Sequence, residues 1–298
     1  MNAPNEHYRP LLSDAARPST FNVKSVDENG ETRDTPIAGE HPLTLYVDKR
    51  EILTLMTLGA APEALAIGYL RNQRLLDRVE DIVSVQVDWD VNAVVINTRS
   101  GLKDLEAKLG KRTTTSGCGQ GTVFGDMMEK FADITLDPAA VLRTSWIYSL
   151  SKQINLTPSL YLAAGAIHGC VLCEEDRPIL YMEDVGRHNA IDKIAGYMRL
   201  HDLGPEGKIF YTTGRLTSEM VLKTVQMRIP ILISRSGFTA WGVELAREAN
   251  LTLVGRAKGK RFIALAGEGR ILFDSEPAAV AEEGPKHRRK ASLAEDAA

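Results

Sequence analysis

The chain has 298 residues, 44% hydrophobic and 25% charged, with 36 basic against 39 acidic side chains and a net charge of -3. This is the composition of a globular protein with room for one large or two ordinary domains, and it excludes a global attraction to nucleic acid or to an anionic membrane. Three cysteines, an odd number in a chain too long to need disulfide staples, suit a reducing compartment.

Met1 to Pro10 lacks the basic-then-apolar pattern of a leader, with Asn5, Glu6 and His7 in its midst. The most apolar run, Leu160 to Cys173, is broken by glycines and His168 and falls short of the ~20 residues a spanning helix needs. A cytoplasmic protein is therefore expected, neither inserted in a membrane nor bound to nucleic acid. Residues 1–20, polar and proline-bearing, read as a disordered lead. Residues 21–112 read as an α+β domain. Strands are expected over Pro42–Asp48 and Glu51–Leu58, and Pro62 opens a helix with Leu65, Ala66, Tyr69 and Leu70 on one face. Strands Asp81–Val87 and Ala93–Asn97 follow, with Trp89 and Asp90 near the turn. A short helix bearing Leu102, Leu105 and Leu109 closes this half, and Gly110 suits its C-cap.

Residues 113–136 form a loop and linker in which Cys118 stands between Gly117 and Gly119. Flanking glycines free the backbone and leave the sulfur uncrowded, whereas a packing cysteine sits more often in an apolar run. Two readings remain open here: a functional thiol, or a glycine-threonine linker with an incidental one.

Residues 137–275 alternate between strand and helix. Asp137-Pro138 is expected to cap a helix reaching about Lys152, followed by strands Gly165–Cys173 and Ile179–Met182 across the turn Glu174-Glu175-Asp176-Arg177. Helix His188–Leu200 buries Ile191, Ile194, Ala195 and Met198. Strand Lys208–Thr212 leads into helix Thr217–Met227, and strand Ile231–Ser234 into a helix ending near Asn250. Strand Leu251–Gly255 then turns back into Arg261–Ala266. This order predicts an α/β fold whose second half is a mainly parallel sheet with helices on both faces, preceded by a smaller α+β domain. Residues 276–298, rich in Ala, Glu and basic residues, read as a disordered tail with a solvated cluster at Lys286–Lys290.

In such a sheet, ligands bind where strands lead into helix N-termini. Three successive loops place a glycine and an arginine there: Gly186-Arg187-His188, Gly214-Arg215, and Arg235-Ser236-Gly237. Each arginine is suited to grip a phosphate bidentately, or else to cap a carbonyl or pair with a local acid. A fourth basic element, Arg256-Ala257-Lys258-Gly259-Lys260-Arg261, holds four cations in six residues between two strands. It reads as a solvated hairpin tip or as a clamp for a pyrophosphate-bearing cofactor. Cys170 and Cys173 have the Cys-x-x-Cys spacing of zinc ligands, but on a strand they point to opposite faces, so no bound metal is expected. His168 is either a core histidine or a pocket residue.

The segment Glu183-Asp184-Val185-Gly186-Arg187-His188-Asn189-Ala190-Ile191-Asp192-Lys193 resembles the FdhD family, the formate dehydrogenase accessory sulfurtransferases. So do Gly214-Arg215-Leu216-Thr217-Ser218-Glu219-Met220, Pro230 to Ser236, and Leu251-Thr252-Leu253-Val254-Gly255, and the similarity runs from about Gly39 to Ala266. The resemblance implies a second half similar in fold to the cytidine deaminases. It implies a sulfurtransferase that accepts persulfide sulfur from a cysteine desulfurase on Cys118. The acceptor that it implies is the molybdenum bis(molybdopterin guanine dinucleotide) cofactor, before its insertion into formate dehydrogenase. It further implies cofactor contacts at Arg256 to Arg261, and a homodimer.

Two departures matter. Many members read Cys-Gly-x-Cys-Gly in the loop, whereas Gly121 stands at the second cysteine here, so Cys118 would work without a resolving thiol. The deaminase-type His-x-Glu and Pro-Cys-x-x-Cys set is missing, which argues against base deamination. Two rival readings are a cofactor-binding chaperone without catalysis, and a zinc enzyme built on His168, Cys170 and Cys173.

Overall fold

The computed structural model describes residues 8–76, 78–101 and 131–277, in which the two larger of four sheets are separated by a pair of packed helices. Strand β1 (Leu11–Leu12) is followed by the hairpin β2 (Thr20–Val26) and β3 (Thr32–Ala38), then β4 (His41–Val47), β5 (Arg50–Thr57), helix α1 (Pro62–Asn72), β6 (Ile82–Asp88) and β7 (Ala93–Thr98). The first sheet runs β1-β6-β7-β4-β5, and one face carries the core Leu43, Leu45, Val85, Val94 and Ile96 against Leu65 and Leu70 of α1.

Part of the expected disordered lead is tied down. β1 pairs in parallel with β6, and the Ser13 hydroxyl donates to Glu63 Oε1 at 2.6 Å while accepting from Val87 N at 2.9 Å. The β2–β3 hairpin was not expected. Its turn rests on Asp27, whose Oδ1 accepts from Asn29 N at 2.9 Å and Glu31 N at 3.1 Å, with Gly30 at φ 80 in the left-handed region.

The second half holds β8 (Leu142–Arg143), α2 (Thr144–Leu156), α3 (Leu160–Ala164), β9 (His168–Glu174), β10 (Arg177–Asp184), α4 (Arg187–Leu200), β11 (Lys208–Thr212), α5 (Ser218–Gln226), β12 (Ile231–Ser234), α6 (Ala240–Glu248), β13 (Thr252–Lys258), β14 (Arg261–Ala266) and β15 (Ile271–Leu272). Its sheet runs β10-β9-β11-β12-β13-β14. The parallel part is the centre, β11-β12-β13, and β9, β10 and β14 pair antiparallel around it. The reason lies in the connections. β9–β10 and β13–β14 are joined by two-residue turns, which force antiparallel pairing, while the parallel strands are joined through α5 and α6.

Helices cover both faces. Cys170, Leu172, Phe210, Leu232 and Leu253 pack toward α4 and α5, while Val171, Cys173, Tyr211, Ile233 and Val254 pack toward Ile147 and Leu150 of α2. Helix α2 starts later than Asp137-Pro138 suggested. Asp137 closes only a local turn, through Ala139 N at 2.9 Å. The cap comes from Asp274, whose carboxylate accepts from Ser145 N at 2.9 Å, Thr144 Oγ1 at 3.0 Å and Ser145 Oγ at 2.8 Å.

The two halves meet where α1 lies on α4. A Cβ at Gly68 would stand 1.7 Å from the Asp192 carbonyl oxygen, and one at Gly196 would stand 1.9 Å from that of Ala64. Only glycine lets these backbones touch. Among the described residues, no helix is long and apolar enough to cross a membrane.

Candidate functional site

The polar residues of the segment Glu183 to Lys193 face inward, across the junction of the two halves. Asp184 is fully buried and is met by Lys193 Nζ at 2.5 Å, Thr57 Oγ1 of β5 at 2.6 Å and Asn189 Nδ2 at 3.1 Å. Asn189 Nδ2 also donates to the Met56 carbonyl at 2.6 Å. One turn on, buried Asp192 accepts from Lys223 Nζ of α5 at 2.7 Å and from Asn72 Nδ2 of α1 at 2.7 Å. Burial raises the Asp192 carboxyl, an effect opposed by Lys223 and Asn72. Glu183 serves α3, accepting from Leu160 N at 3.0 Å and Tyr161 N at 2.9 Å. Charges are buried at this density only when paired.

Arg187 and His188, expected among the cofactor contacts, belong to this interior. Arg187 is 6% exposed, and a Cβ at Gly214 would come within 2.8 Å of its side chain, so Gly214 makes room for it. His188 is 3% exposed, with Nε2 3.4 Å from Glu219 Oε2. Burial pushes its pKa down to about 3, against the pull of Glu219, so the imidazole is neutral. His168 is half-buried at the start of β9, beside Thr213 Oγ1 at 3.5 Å, and its pKa is lowered by burial and then by Arg187 and Arg215.

The strand ends around these groups form a braced rim. Ser234 Oγ donates to the Gly214 carbonyl at 2.6 Å, Leu216 N to Gly237 O at 2.9 Å, and Arg256 N to Ser236 O at 2.8 Å. Arg235 is engaged locally, with Nη1 on Asn155 Oδ1 at 3.1 Å and its guanidinium over the Tyr161 ring. Arg215 is exposed.

The β13–β14 hairpin is different in character. Its register breaks between Gly255 and Lys258, and Arg256 sits in this bulge at φ 54. Ala257 turns into the core with no exposed surface, so Arg256 and Lys258 face outward on either side of it. Gly259 makes the turn at φ 59. Arg256, Lys258, Lys260 and Arg261 line one cleft of about 1040 Å³, whose other walls include Tyr148, Phe262 and Phe273. Among the described residues, none of the four cations has an acidic hydrogen-bond or ion-pair partner; Arg256 lies over the Phe238 ring at 5.7 Å. Arg187, His188, Gly214, Arg215, Arg235 and Ser236 do not line this cleft. Its aromatic walls were not foreseen from sequence. Phe262, next to Arg261 in the chain, carried the one local signal.

Cys118 lies outside the described residues. Cys170 and Cys173 are free and buried in different cores, on opposite sides of the sheet, which leaves them unable to share a metal. Burial pushes the Cys170 thiol up to about 12 and raises Cys173 further, so neither ionises near neutral pH.

Comparison with known proteins places these features in context. The FdhD/NarQ family matches residues 38–272. A sulfur carrier protein FdhD from Wolinella succinogenes is 30% identical over 235 residues, covering 78% of this chain and 81% of its own. One from Geobacillus kaustophilus is 28% identical over 252 residues, covering 85% and 94%. A crystal structure described as that of a formate dehydrogenase accessory protein from Desulfotalea psychrophila superposes with a TM-score of 0.68 at 27% identity. It covers 86% of this chain and 100% of its own.

Proposed function

The chain belongs to the FdhD/NarQ family, and from that premise we propose that it is a sulfur carrier in the maturation of formate dehydrogenase. Its donor is a cysteine desulfurase and its acceptor the molybdenum bis(molybdopterin guanine dinucleotide) cofactor, which is a substrate here and not a resident group. The Cys118 thiolate attacks the terminal sulfur of the donor's cysteine persulfide. A new sulfur–sulfur bond forms on Cys118, the old one breaks, and the donor cysteine leaves as thiolate, so the exchange needs no external oxidant. In delivery the sulfur–sulfur bond on Cys118 breaks, the acceptor supplies the electron pair of the new bond to the terminal sulfur, and Cys118 leaves as thiolate. The protein acts in the cytoplasm, where its thiol stays reduced, and as a homodimer.

The observation that carries the acceptor side is the β13–β14 cleft, four cations without acidic partners among the described residues. Unneutralised cations on a short, bulged hairpin suit the phosphates of a dinucleotide. Arg215 is exposed after the C-terminal end of β11, and Arg235 and Ser236 are held in the loop after β12. Arg187 and His188 act behind the rim. Arg187 packs beneath Gly214, and neutral His188 lies against Glu219.

The test is complementation of cells lacking this protein, with formate dehydrogenase activity as the readout. Wild type restores activity, whereas Cys118→Ser and the pair Lys260→Glu/Arg261→Glu do not. Gly121 in place of a second loop cysteine leaves room for a carrier that binds cofactor without relaying sulfur. Full activation by Cys118→Ser would establish that chaperone reading instead.

A further inference from the structure

Helices α1, α4 and α5 end around a pair of hollows away from the β13–β14 cleft. α1 closes at Asn72, α4 at Leu200 and α5 at Gln226, and the chain then passes through the left-handed region at Arg74 (φ 56), Asp202 (φ 50) and Arg228 (φ 60). The hollows, of about 310 and 180 Å³, share Arg71, Arg199 and Arg228, and Arg74 lines the smaller. Among the described residues the one carboxylate in their walls is Asp202, and no lining residue is shared with the β13–β14 cleft. Met198, Leu203 and Met227 give the larger hollow an apolar floor, and Leu76 and Ile134 do so for the smaller.

Carbonyl dipoles at helix ends attract cations, and Arg71 serves that purpose, its Nη1 donating to the Gln226 carbonyl at 3.0 Å. Two groups here go beyond it. Gln226 is 8% exposed; its Oε1 accepts from Arg74 Nη1 at 3.4 Å, and its Nε2 has no partner among the described residues. Arg228 is exposed and its guanidinium makes no hydrogen bond or ion pair among the described residues, although glycine would hold its left-handed place at lower cost. A buried amide donor without an acceptor and an unneutralised guanidinium, both above apolar side chains, match a carboxylate carried on an apolar chain. A free phosphate would leave the methionines and leucines unused.

Position identifies the bearer of that carboxylate. Residues 102–130, which include Cys118, join Gly101 to Phe131. On the return side Phe131 is buried against α5, and Ile134 lines the smaller hollow. On the outgoing side Arg99 Nε donates to the Glu80 carbonyl at 2.8 Å. The Glu80 carboxyl, held low first by its own backbone N–H, also feels Arg199 of the hollows. Both attachments of the Cys118 segment therefore flank this site, and a protein seated on it stands beside them. Resting on the carrier reading above, we infer that the arginine hollows dock the sulfur donor, through a segment of it that bears a carboxylate beside apolar side chains.

Loading of Cys118, followed by intact mass, tests this with two sulfur sources. One is a cysteine desulfurase with free cysteine. The other is glutathione persulfide, a small donor that needs no docking: the Cys118 thiolate takes its terminal sulfur and glutathione leaves as thiolate. Arg228→Glu slows loading from the desulfurase by about tenfold or more, and added sodium chloride slows wild type but not the variant. From glutathione persulfide the variant loads at the wild-type rate, which also shows it folded. Unchanged desulfurase loading in Arg228→Glu overturns donor docking while the carrier reading stands. The hollows then belong to formate dehydrogenase if the variant fails to activate it, or to a second copy of the chain if its mass in solution changes. Equal slowing with both sources overturns the inference as well, because docking affects only one. Failure of wild type to take sulfur from the desulfurase overturns the carrier reading and this inference with it.

Discussion

Replacing Gly68 by alanine sets two physical effects against each other. In a helix interior the change removes backbone freedom from the unfolded chain, and on propensity alone it stabilises by about 1 kcal/mol. At this position, however, the new Cβ would stand 1.7 Å from the Asp192 carbonyl oxygen and 2.7 Å from Gly196 N. Ordinary carbon–oxygen contact needs about 3.3 Å, so α1 and α4 must separate by roughly 1.5 Å. Overpacking of that kind costs about 1–3 kcal/mol. The separation also stretches the 2.7 Å bond from Asn72 to the buried Asp192 carboxylate, a hydrogen bond to a charged group worth roughly 1.5–3 kcal/mol. The net loss is about 2–5 kcal/mol once the propensity gain is subtracted. Urea denaturation followed by far-ultraviolet circular dichroism reads it as a midpoint lowered by about 1 M at a slope near 3 kcal/mol/M. Gly196→Ala, at the same contact, has a similar effect, and the two do not add. A midpoint equal to or above wild type for Gly68→Ala would refute the claim that these glycines set the approach of the two halves.

Three further outcomes follow from the buried groups. Lys223→Met leaves the Asp192 carboxylate buried with Asn72 alone of its two partners and costs about 3–5 kcal/mol in urea unfolding, part of which Asp192→Leu restores in the double variant; a single-variant cost below about 1 kcal/mol speaks against the network. His188 stays neutral in the folded protein down to about pH 3 while its unfolded counterpart titrates at 6.5, so the unfolded chain binds the extra proton. Stability therefore falls as pH drops from 6.5 toward 3, by up to roughly 1.4 kcal/mol per unit, and His188→Gln flattens that slope; identical slopes in both proteins contradict it. Cys170 and Cys173 resist iodoacetamide at neutral pH until denaturant is added, as peptide mass spectra will report, and prompt native labelling of either contradicts their burial.

The alternating strands and helices of the second half were legible because each follows its own hydrophobic period, and each parallel pair is bridged by a helix with a clear stripe. The opposed faces of Cys170 and Cys173 followed from the strand repeat of two, and the outward cations of the β13–β14 hairpin from their bare density in sequence. The β2–β3 hairpin had a readable signal, Asn29-Gly30 between the alternating runs at Phe21 and Ile37, which the polar surroundings obscured. The inward role of Glu183 to Lys193 had none. A run of charges reads as solvent-facing unless its partners are known, and these arrive from Thr57, Asn72 and Lys223, up to 127 residues away. The start of α2 was misplaced for the same reason, since its cap Asp274 lies 130 residues beyond Thr144. Local sequence reports caps and stripes supplied by neighbours, and it is silent where a buried ion or a helix end is completed from the far end of the chain.

The most direct test of the sulfur-carrier account is the intact mass of the protein after incubation with a cysteine desulfurase and free cysteine. Wild type gains one sulfur atom that a thiol reductant removes, and Cys118→Ser gains none. A Cys118→Ser protein that takes up sulfur as readily as wild type would contradict the account.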